Sequence, residues 1–495
     1  MTTKHKLRVV TLSWMRAISG LLVTMSCLVV TAAAAADEPK LAAAAPAKPE
    51  VVELTIHPAA EAEPKLKYRL LPPNWERRPG NAAPLYYRAW LMQRGPPNNW
   101  PFKDLDAWEK MSPEKLPVKE VANFIQSSVR LHPDMFRMAA RREYCHWDLA
   151  EREVEDPFNL VFPEIDKAQA TVMALGLMAK LQIAKGDFQE ALDTLQISYQ
   201  MMQDIGQGRF LGHKIYACAK AETFTRVLEQ LVATKGAPNL YWAVRDFPAP
   251  FVDLRGAWQN ERGTVLMSIP ELRDVRTAQL TAEQWQQRWE SAVAHSRYYT
   301  RINESGSIPP PPEKNADSKS GELLVRRYPP ARAGLLNFGY DKAKVEAMAR
   351  PQVVLVYEGE TLERAYDELE SLLLLPHDEA LRRRSKLQAP AKDSLTYPFL
   401  NSIVNDWADT ARTPLKLQRR LAGVCHIEAI RMYAAAHEGK LPSQLSDIKE
   451  VPLSLNSFTG KPFEYRLEGD VAVLTAPGTG EKLAPDLVYW LKMAK

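Results

Sequence analysis

The chain has 495 residues, 46% hydrophobic and 25% charged, with 64 Lys and Arg against 60 Asp and Glu. All four excess positive charges fall in the first 36 residues, at Lys4, Lys6, Arg8 and Arg16, where no acid occurs. Everything after residue 36 is formally neutral, so the charge gives no basis for nucleic acid as a partner, and the apolar fraction suffices for a large core.

Residues 1–36 read as a secretory signal peptide. A basic start, Met1 to Arg8, precedes an apolar stretch from Leu21 to Val30, and Ala34-Ala35-Ala36 supplies small residues before a cleavage site. A retained signal anchor is the alternative, but the apolar run decays into alanines short of a 20-residue span. The expected location is therefore periplasmic or extracellular. Cleavage removes Cys27 and leaves Cys145, Cys218 and Cys425, which allow at most one internal disulfide. They form no CxxC pair and no zinc spacing, and are expected to be small buried apolar residues. No later segment has 18 consecutive apolar residues, so no membrane span is expected after cleavage.

Residues 37–65 divide into an Ala/Pro-rich tether and one short strand at Val51–Ile56, where apolar residues alternate. Lys67 to Leu71 reads as a second extended piece. Prolines punctuate 72–117, which suits short helices wrapped on the body by aromatics such as Tyr86, Tyr87, Trp90, Trp100 and Trp108. Residues 66–302 form a helical body. Helices are expected at 164–184, from Phe188 past Tyr199, at 208–234 and at 281–302, on the spacing of their apolar residues. Residues 303–321, with four consecutive prolines from Pro309, read as a linker. A second helical segment, 322–411, and an α+β tail, 412–495, follow. Helices are expected at 322–350, 352–375, 378–388 and 396–438, and Arg412 to Leu421 reads as basic and polar. Phe463–Leu467 and Val471–Leu474 make a hairpin through Glu468-Gly469-Asp470, and Leu487–Leu491 is either a strand or a helix.

Three stretches resemble known families. Lys185-Gly-Asp-Phe-Gln-Glu-Ala-Leu192 resembles the turn and second-helix start of a tetratricopeptide repeat, without a 34-residue recurrence. Lys67–Pro72, Pro79–Ala83 with Tyr86–Ala89, Cys145-His-Trp147, Gly186–Leu192 and Pro238–Ala243 resemble an uncharacterised family of exported bacterial proteins. That likeness implies export and a helical body, and no activity. Glu428–Pro442, Asn456–Phe463 and the hairpin are similar to the soluble part of type II secretion pseudopilins, which implies a helix packed on a small sheet. The fold class is mainly α: a TPR-like helical-hairpin body with a small C-terminal α+β module.

Candidate chemistry is sparse. Cys145, His146 and Asp148 place a thiol, an imidazole and a carboxylate within four residues. On a helix, neighbouring residues point about 100° apart, so Cys145 and His146 would not face each other. They are weak catalytic candidates, and structural packing of Cys145 and Trp147 is the better expectation. His57, His132, His146, His213, His295, His377, His426 and His437 form no HxH, HxxxH or HExxH pattern, so neither a metal site nor a cofactor is expected. The acidic runs Glu151/Glu153/Glu155/Asp156 and Glu358/Glu360/Glu363, and the basic run Arg382-Arg383-Arg384, read as solvated helix faces. Of the twelve tryptophans, Trp90, Trp100 and Trp108 are the candidates for stacking on sugars or partners, with core duty the better expectation. The reading that follows is an exported non-enzymatic helical protein of unknown specific role, a protein-interaction or scaffold component of the cell envelope. The alternatives are an exported hydrolase of unrecognised class and an accessory of a secretion or pilus-like assembly.

Overall fold

The computed structural model describes residues 48–93, 102–147, 162–305, 319–387, 390–479 and 484–494. The signal peptide, nearly all of the tether and residues 306–318 of the linker lie outside the described residues, as do Trp100, Asp148 and the run Glu151 to Asp156. The fold is mainly α with a small sheet that the C-terminal segment builds. No helix among the described residues is long and apolar enough to cross a membrane.

In chain order, β1 (Glu50–Ile56) and β2 (Arg78–Asn81) precede α1 (Ala83–Met92), α2 (Phe102–Lys110) and α3 (Val118–Asn123). A π-helical segment, Phe124–Val129, leads to α4 (Pro133–Ala140) and β3 (Arg142–Tyr144), which pairs in parallel with β2. The 67–71 segment is a series of bends, and the extended piece expected there does not form.

Three long helices make the first core: α5 (Pro163–Lys185), α6 (Phe188–Ile205) and α7 (Leu211–Ala233). The hairpin between α5 and α6 closes as the sequence reading expects. Gly186 takes a φ of 81°, its N–H bonds the Ile183 carbonyl, and the Asp187 N–H reaches back to Gln182. That is the left-handed helix stop glycine allows. α5 is buried on two faces. One side, with Val172, Leu175 and Ala179, joins the first core. The other, with Ala174, Leu177 and Leu181, packs under α2, α3 and the π-helical segment. Lys180 crosses that second contact, donating to the carbonyls of Trp108, Glu109 and Met111 at 3.1, 2.6 and 2.8 Å. These carbonyls at the end of α2 lack helical partners, and an ammonium satisfies them.

After α8 (Tyr241–Arg245) a second core begins. It holds α9 (Arg255–Ser268), α10 (Ala282–Ser305), α11 (Ser320–Asn337), α12 (Lys342–Ala347), α13 (Arg350–Leu372) and α14 (His377–Arg384). The helix expected at 322–350 is interrupted at Gly339, which takes a φ of 92°.

α15 (Tyr397–Ala436) is 40 residues long, about 60 Å at 1.5 Å per residue. Phe399 to Ala411 belong to the second core and Leu417 to Met432 to the first, with Pro414 between them. Residue 412 thus lies inside a continuous helix. Beyond it, β4 (Glu464–Glu468) and β5 (Val471–Ala476) form the hairpin, with Gly469 at a φ of 63°, and β6 (Leu487–Met493) settles the last segment as a strand. The strand order is β1-β6-β5-β4, with β1 parallel to β6. The sequence reading placed β1 apart from the tail; the structure makes it the tail's fourth strand. Ile56, Ala472, Leu474, Ala476, Leu487, Tyr489 and Leu491 turn inward into the first core, which α7 and α15 share.

Candidate functional site

The strongest sequence candidates sit just after β3. The chain continues from Tyr144 in extended form, and Asn81 clamps it. Its Oδ1 accepts the His146 N–H at 2.8 Å, and its Nδ2 donates to the His146 carbonyl at 2.7 Å. Successive side chains of an extended segment point to opposite faces. Cys145 and Trp147 are buried and His146 is exposed. The structure therefore does not bring Cys145 and His146 together, by strand alternation rather than helical rotation. Asp148 lies outside the described residues. Burial, reinforced by the nearby Asp204 and Glu164 carboxyls, pushes the Cys145 thiol well up. A thiol held protonated is a poor nucleophile. Cys145, Cys218 and Cys425 are all free and buried.

What surrounds Cys145 was not legible in the sequence. Tyr86 and Trp90 of α1 stack on Trp147, with ring centroids 5.7 and 5.9 Å away, and Tyr87 meets it edge-on at 5.7 Å. Tyr86 donates to Asp204 Oδ2 at 2.7 Å, Gln200 to Asp204 Oδ1 at 2.8 Å, and the Trp147 indole to the Asp204 carbonyl at 2.9 Å. Burial pushes the Asp204 carboxyl up to about 7, against the pull of these side-chain donors. Beside it, His213 Nε2 lies 2.6 Å from Glu164 Oε1, and Tyr87 donates to Glu164 Oε2 at 3.2 Å. His213 Nδ1 is buried without a hydrogen-bond partner, and the Phe162 ring stands edge-on to the imidazole with centroids 4.7 Å apart. A side chain at Gly208 would run into the same imidazole.

This cluster unites an acid–imidazole pair, a second carboxyl, two phenols and a thiol from α1, α5, α6, α7 and the strand end. Glu164, Asp204, His213, Tyr86 and Cys145 are all buried. Two surface depressions among the described residues lie elsewhere. One, about 500 Å³, is lined by Lys119, Glu120, Ala122, Asn123 and Gln126; the other, about 350 Å³, by Asn74, Arg77 and Glu143. Among the described residues no three His, Cys, Asp or Glu side chains converge in a way that could hold a metal ion.

The remaining candidates resolve individually. Glu358 and Glu360 are buried, which corrects the solvated-face reading. Glu358 accepts from Arg327 at 2.6 Å and from Ser394, and Glu360 accepts from Arg276 at 2.6 Å and from Tyr340. Glu363 pairs with Arg262 at 2.9 Å. Arg382 and Arg383 do lie on a solvated face, both paired with Glu379, while Arg384 donates to the Val404 carbonyl and docks α14 on α15. His426 and His437 each place Nδ1 2.8 Å from the carbonyl four residues back, Ala422 and Tyr433. Trp90 and Trp108 are buried, whereas Trp75, which the sequence did not single out, is 71% exposed with the Arg69 guanidinium 5.0 Å from its ring centre.

Set against protein-family models, curated proteins and solved structures, the chain matches none.

Proposed function

We propose that the protein is an exported, non-enzymatic component of the cell envelope that works by holding a protein partner. One contrast carries this reading. The cluster able to do chemistry among the described residues, Glu164, Asp204, His213, Tyr86 and Cys145, is buried in the core, while large apolar side chains stand in solvent. Leu91 is 86% exposed and Trp75 71%. Met138 and Tyr144 are exposed as well. Glu76 pairs with Arg141 at 3.1 Å, which ties the Trp75 turn to the end of α4, and the β2–β3 ladder that follows sets Asn81 opposite Tyr144. Rigidly presented aromatics and methionines are the residues that interfaces favour.

The alternatives have less support. A hydrolase needs its acids open to a substrate, and Glu164 and Asp204 are closed in. A filament accessory needs a free helix face on the tail, and α15 turns that face against α7.

Cross-linking in intact cells tests the reading. The wild-type chain should be recovered from the periplasm or medium with residue 37 at its N-terminus, cross-linked to a defined protein, and Trp75→Ala with Tyr144→Ala should lose that product. An uncut chain in the cytoplasm, or no product above background, would overturn it.

A further inference from the structure

We infer that the outer edge of β1 is a docking site for an extended, basic segment of a partner protein, which would add a fifth strand to the sheet. The inference rests on the reading of the protein as a partner-binding one, and it uses a surface distinct from the Trp75 face.

Backbone register defines the edge. Glu50 N–H donates to the Asp486 carbonyl at 2.8 Å and Ala494 N–H to the Ile56 carbonyl at 2.9 Å, with Glu50 opposite Leu487 and Ile56 opposite Met493. In a parallel pair, alternate residues turn both backbone groups to the neighbour. Glu50, Val52, Leu54 and Ile56 therefore face β6. Val51, Glu53 and Thr55 turn their N–H and C=O groups away from it, and among the described residues no backbone group bonds to them. The same three side chains are exposed on the outer face of the sheet. An open edge with β-branched residues is a template for another strand.

The two edges of this sheet differ. β4 blunts itself with Glu464, Arg466 and Glu468, three charges in five residues of mixed sign, two of them paired with each other. β1 carries two charges. Glu50 is taken up by Arg420 and Arg226. Glu53 has no ionic or hydrogen-bonding side-chain partner among the described residues, and its register neighbour is Trp490, 44% exposed. The basic side chain that β6 sets opposite Thr55, Lys492, is paired with Asp470 at 3.2 Å. The charge left to meet a newcomer at the middle of the edge is thus a lone carboxylate. A second copy paired antiparallel about Glu53 would set two carboxylates opposite each other, which is destabilising. A segment with Lys or Arg at its centre fits instead.

The test uses the full exported chain and two fluorophore-labelled, end-capped peptides, Thr-Val-Thr-Lys-Thr-Val-Thr and its Glu-centred counterpart, read by fluorescence anisotropy. The Lys peptide should bind about tenfold tighter than the Glu peptide, the combined effect of one attractive and one repulsive cross-strand pair. Glu53→Lys should invert that preference. Glu53→Pro removes an outward N–H without touching the β6 ladder, which edge strands tolerate, and should abolish binding of both peptides while the melting curve stays that of a folded protein. Trp75→Ala should leave peptide binding unchanged. Equal binding of the two peptides, no binding of either, or a preference that Glu53→Lys does not invert would overturn the proposal. If the cellular cross-link to a partner nonetheless persists in those cases, the partner-binding reading stands and only the edge assignment falls.

Discussion

The two halves of α15 share one helix and obey different rules. The first half, Tyr397 to Ala411, is amphipathic: Val404, Trp407, Ala408 and Ala411 face the second core and Asn405 stands in solvent. The second half is closed on every side between Arg419 and Met432. Each residue from Arg419 to Met432 is buried, although the stretch contains Arg419, Arg420, His426, Glu428 and Arg431. Burying charge is tolerable only when it is paired and hydrogen-bonded. The partners come from far along the chain. Arg420 forks onto Glu229 of α7 at 2.8 and 3.0 Å and reaches Glu50 of β1, while Tyr489 of β6 donates to Glu229 at 2.6 Å. Arg431 bonds Glu428 and the carbonyls of Ala237 and His57 at 2.7, 2.8 and 2.9 Å. One half of the helix is held by apolar packing, and the other is also a hub of directed polar contacts joining the first strand, the body and the last strand.

Breaking that hub should have the largest effect. Burial already pushes the Glu229 carboxyl up, and Arg420 is the main influence opposing it. Arg420→Met strands the acid and should cost about 3–5 kcal/mol of stability in denaturant unfolding. Arg420→Met combined with Glu229→Gln should recover most of the loss, because neither partner is then left as a bare buried charge. A single-variant cost below about 1 kcal/mol would mean that the closed half of α15 is held by packing alone, like the open half.

Asp204 sharpens the comparison, since it is a buried acid held by neutral donors rather than by an arginine fork. Tyr86 and Gln200 hold its carboxyl, and burial lifts it to about 7 from the 3.8 of an exposed aspartate. Between those values the folded protein binds more protons than the unfolded chain, so stability contributed by this site falls as pH rises. It is fully present only below about pH 4 and gone above about pH 7, with a steepest slope of roughly 1.4 kcal/mol per pH unit. Urea unfolding measured from pH 4 to pH 8 should show the decline, and Asp204→Asn should flatten it.

How much of this was legible beforehand follows from the range of each contact. Local signals were readable: the Gly186 turn, the hairpin at Gly469, the alternation in β1, and α15 to within two residues at each end. The second half of α15 was misleading. Arg412 to Leu421 reads only as basic and polar, because nothing nearby in sequence reveals Glu229 or Glu50. For the candidate site, the one local cluster, Cys145-His146, is the pair that the extended backbone separates. The contacts that do form, Tyr86 to Asp204 and Glu164 to His213, span 118 and 49 residues. Glu164 and His213 lie on helices that carry other charged residues as well, so nothing local singled them out.

Steric closure gives a third, smaller contrast. A Cβ at Gly423 would meet Cε2 of Tyr489 at 2.5 Å and its hydroxyl oxygen at 2.7 Å. The ring is buried and tethered through its hydroxyl to Glu229, so it has little room to yield. Gly423→Ala should cost about 1–3 kcal/mol despite the better helix propensity of alanine.

The smallest effect belongs to the open half. Asn405 is exposed, and its amide makes one long contact, 3.3 Å, with Asn401 a turn earlier. Its backbone carbonyl takes a bond from Arg384, which a side-chain change leaves in place. Asn405→Ala exchanges a poor helix former for the best one and should change stability by no more than about 0.5 kcal/mol, in the stabilising direction. Measured beside Gly423→Ala, it compares two changes to alanine 18 positions apart on one helix. A loss at Asn405 as large as at Gly423 would show that the first half of α15 is also closed in solution, by a surface that covers Asn405.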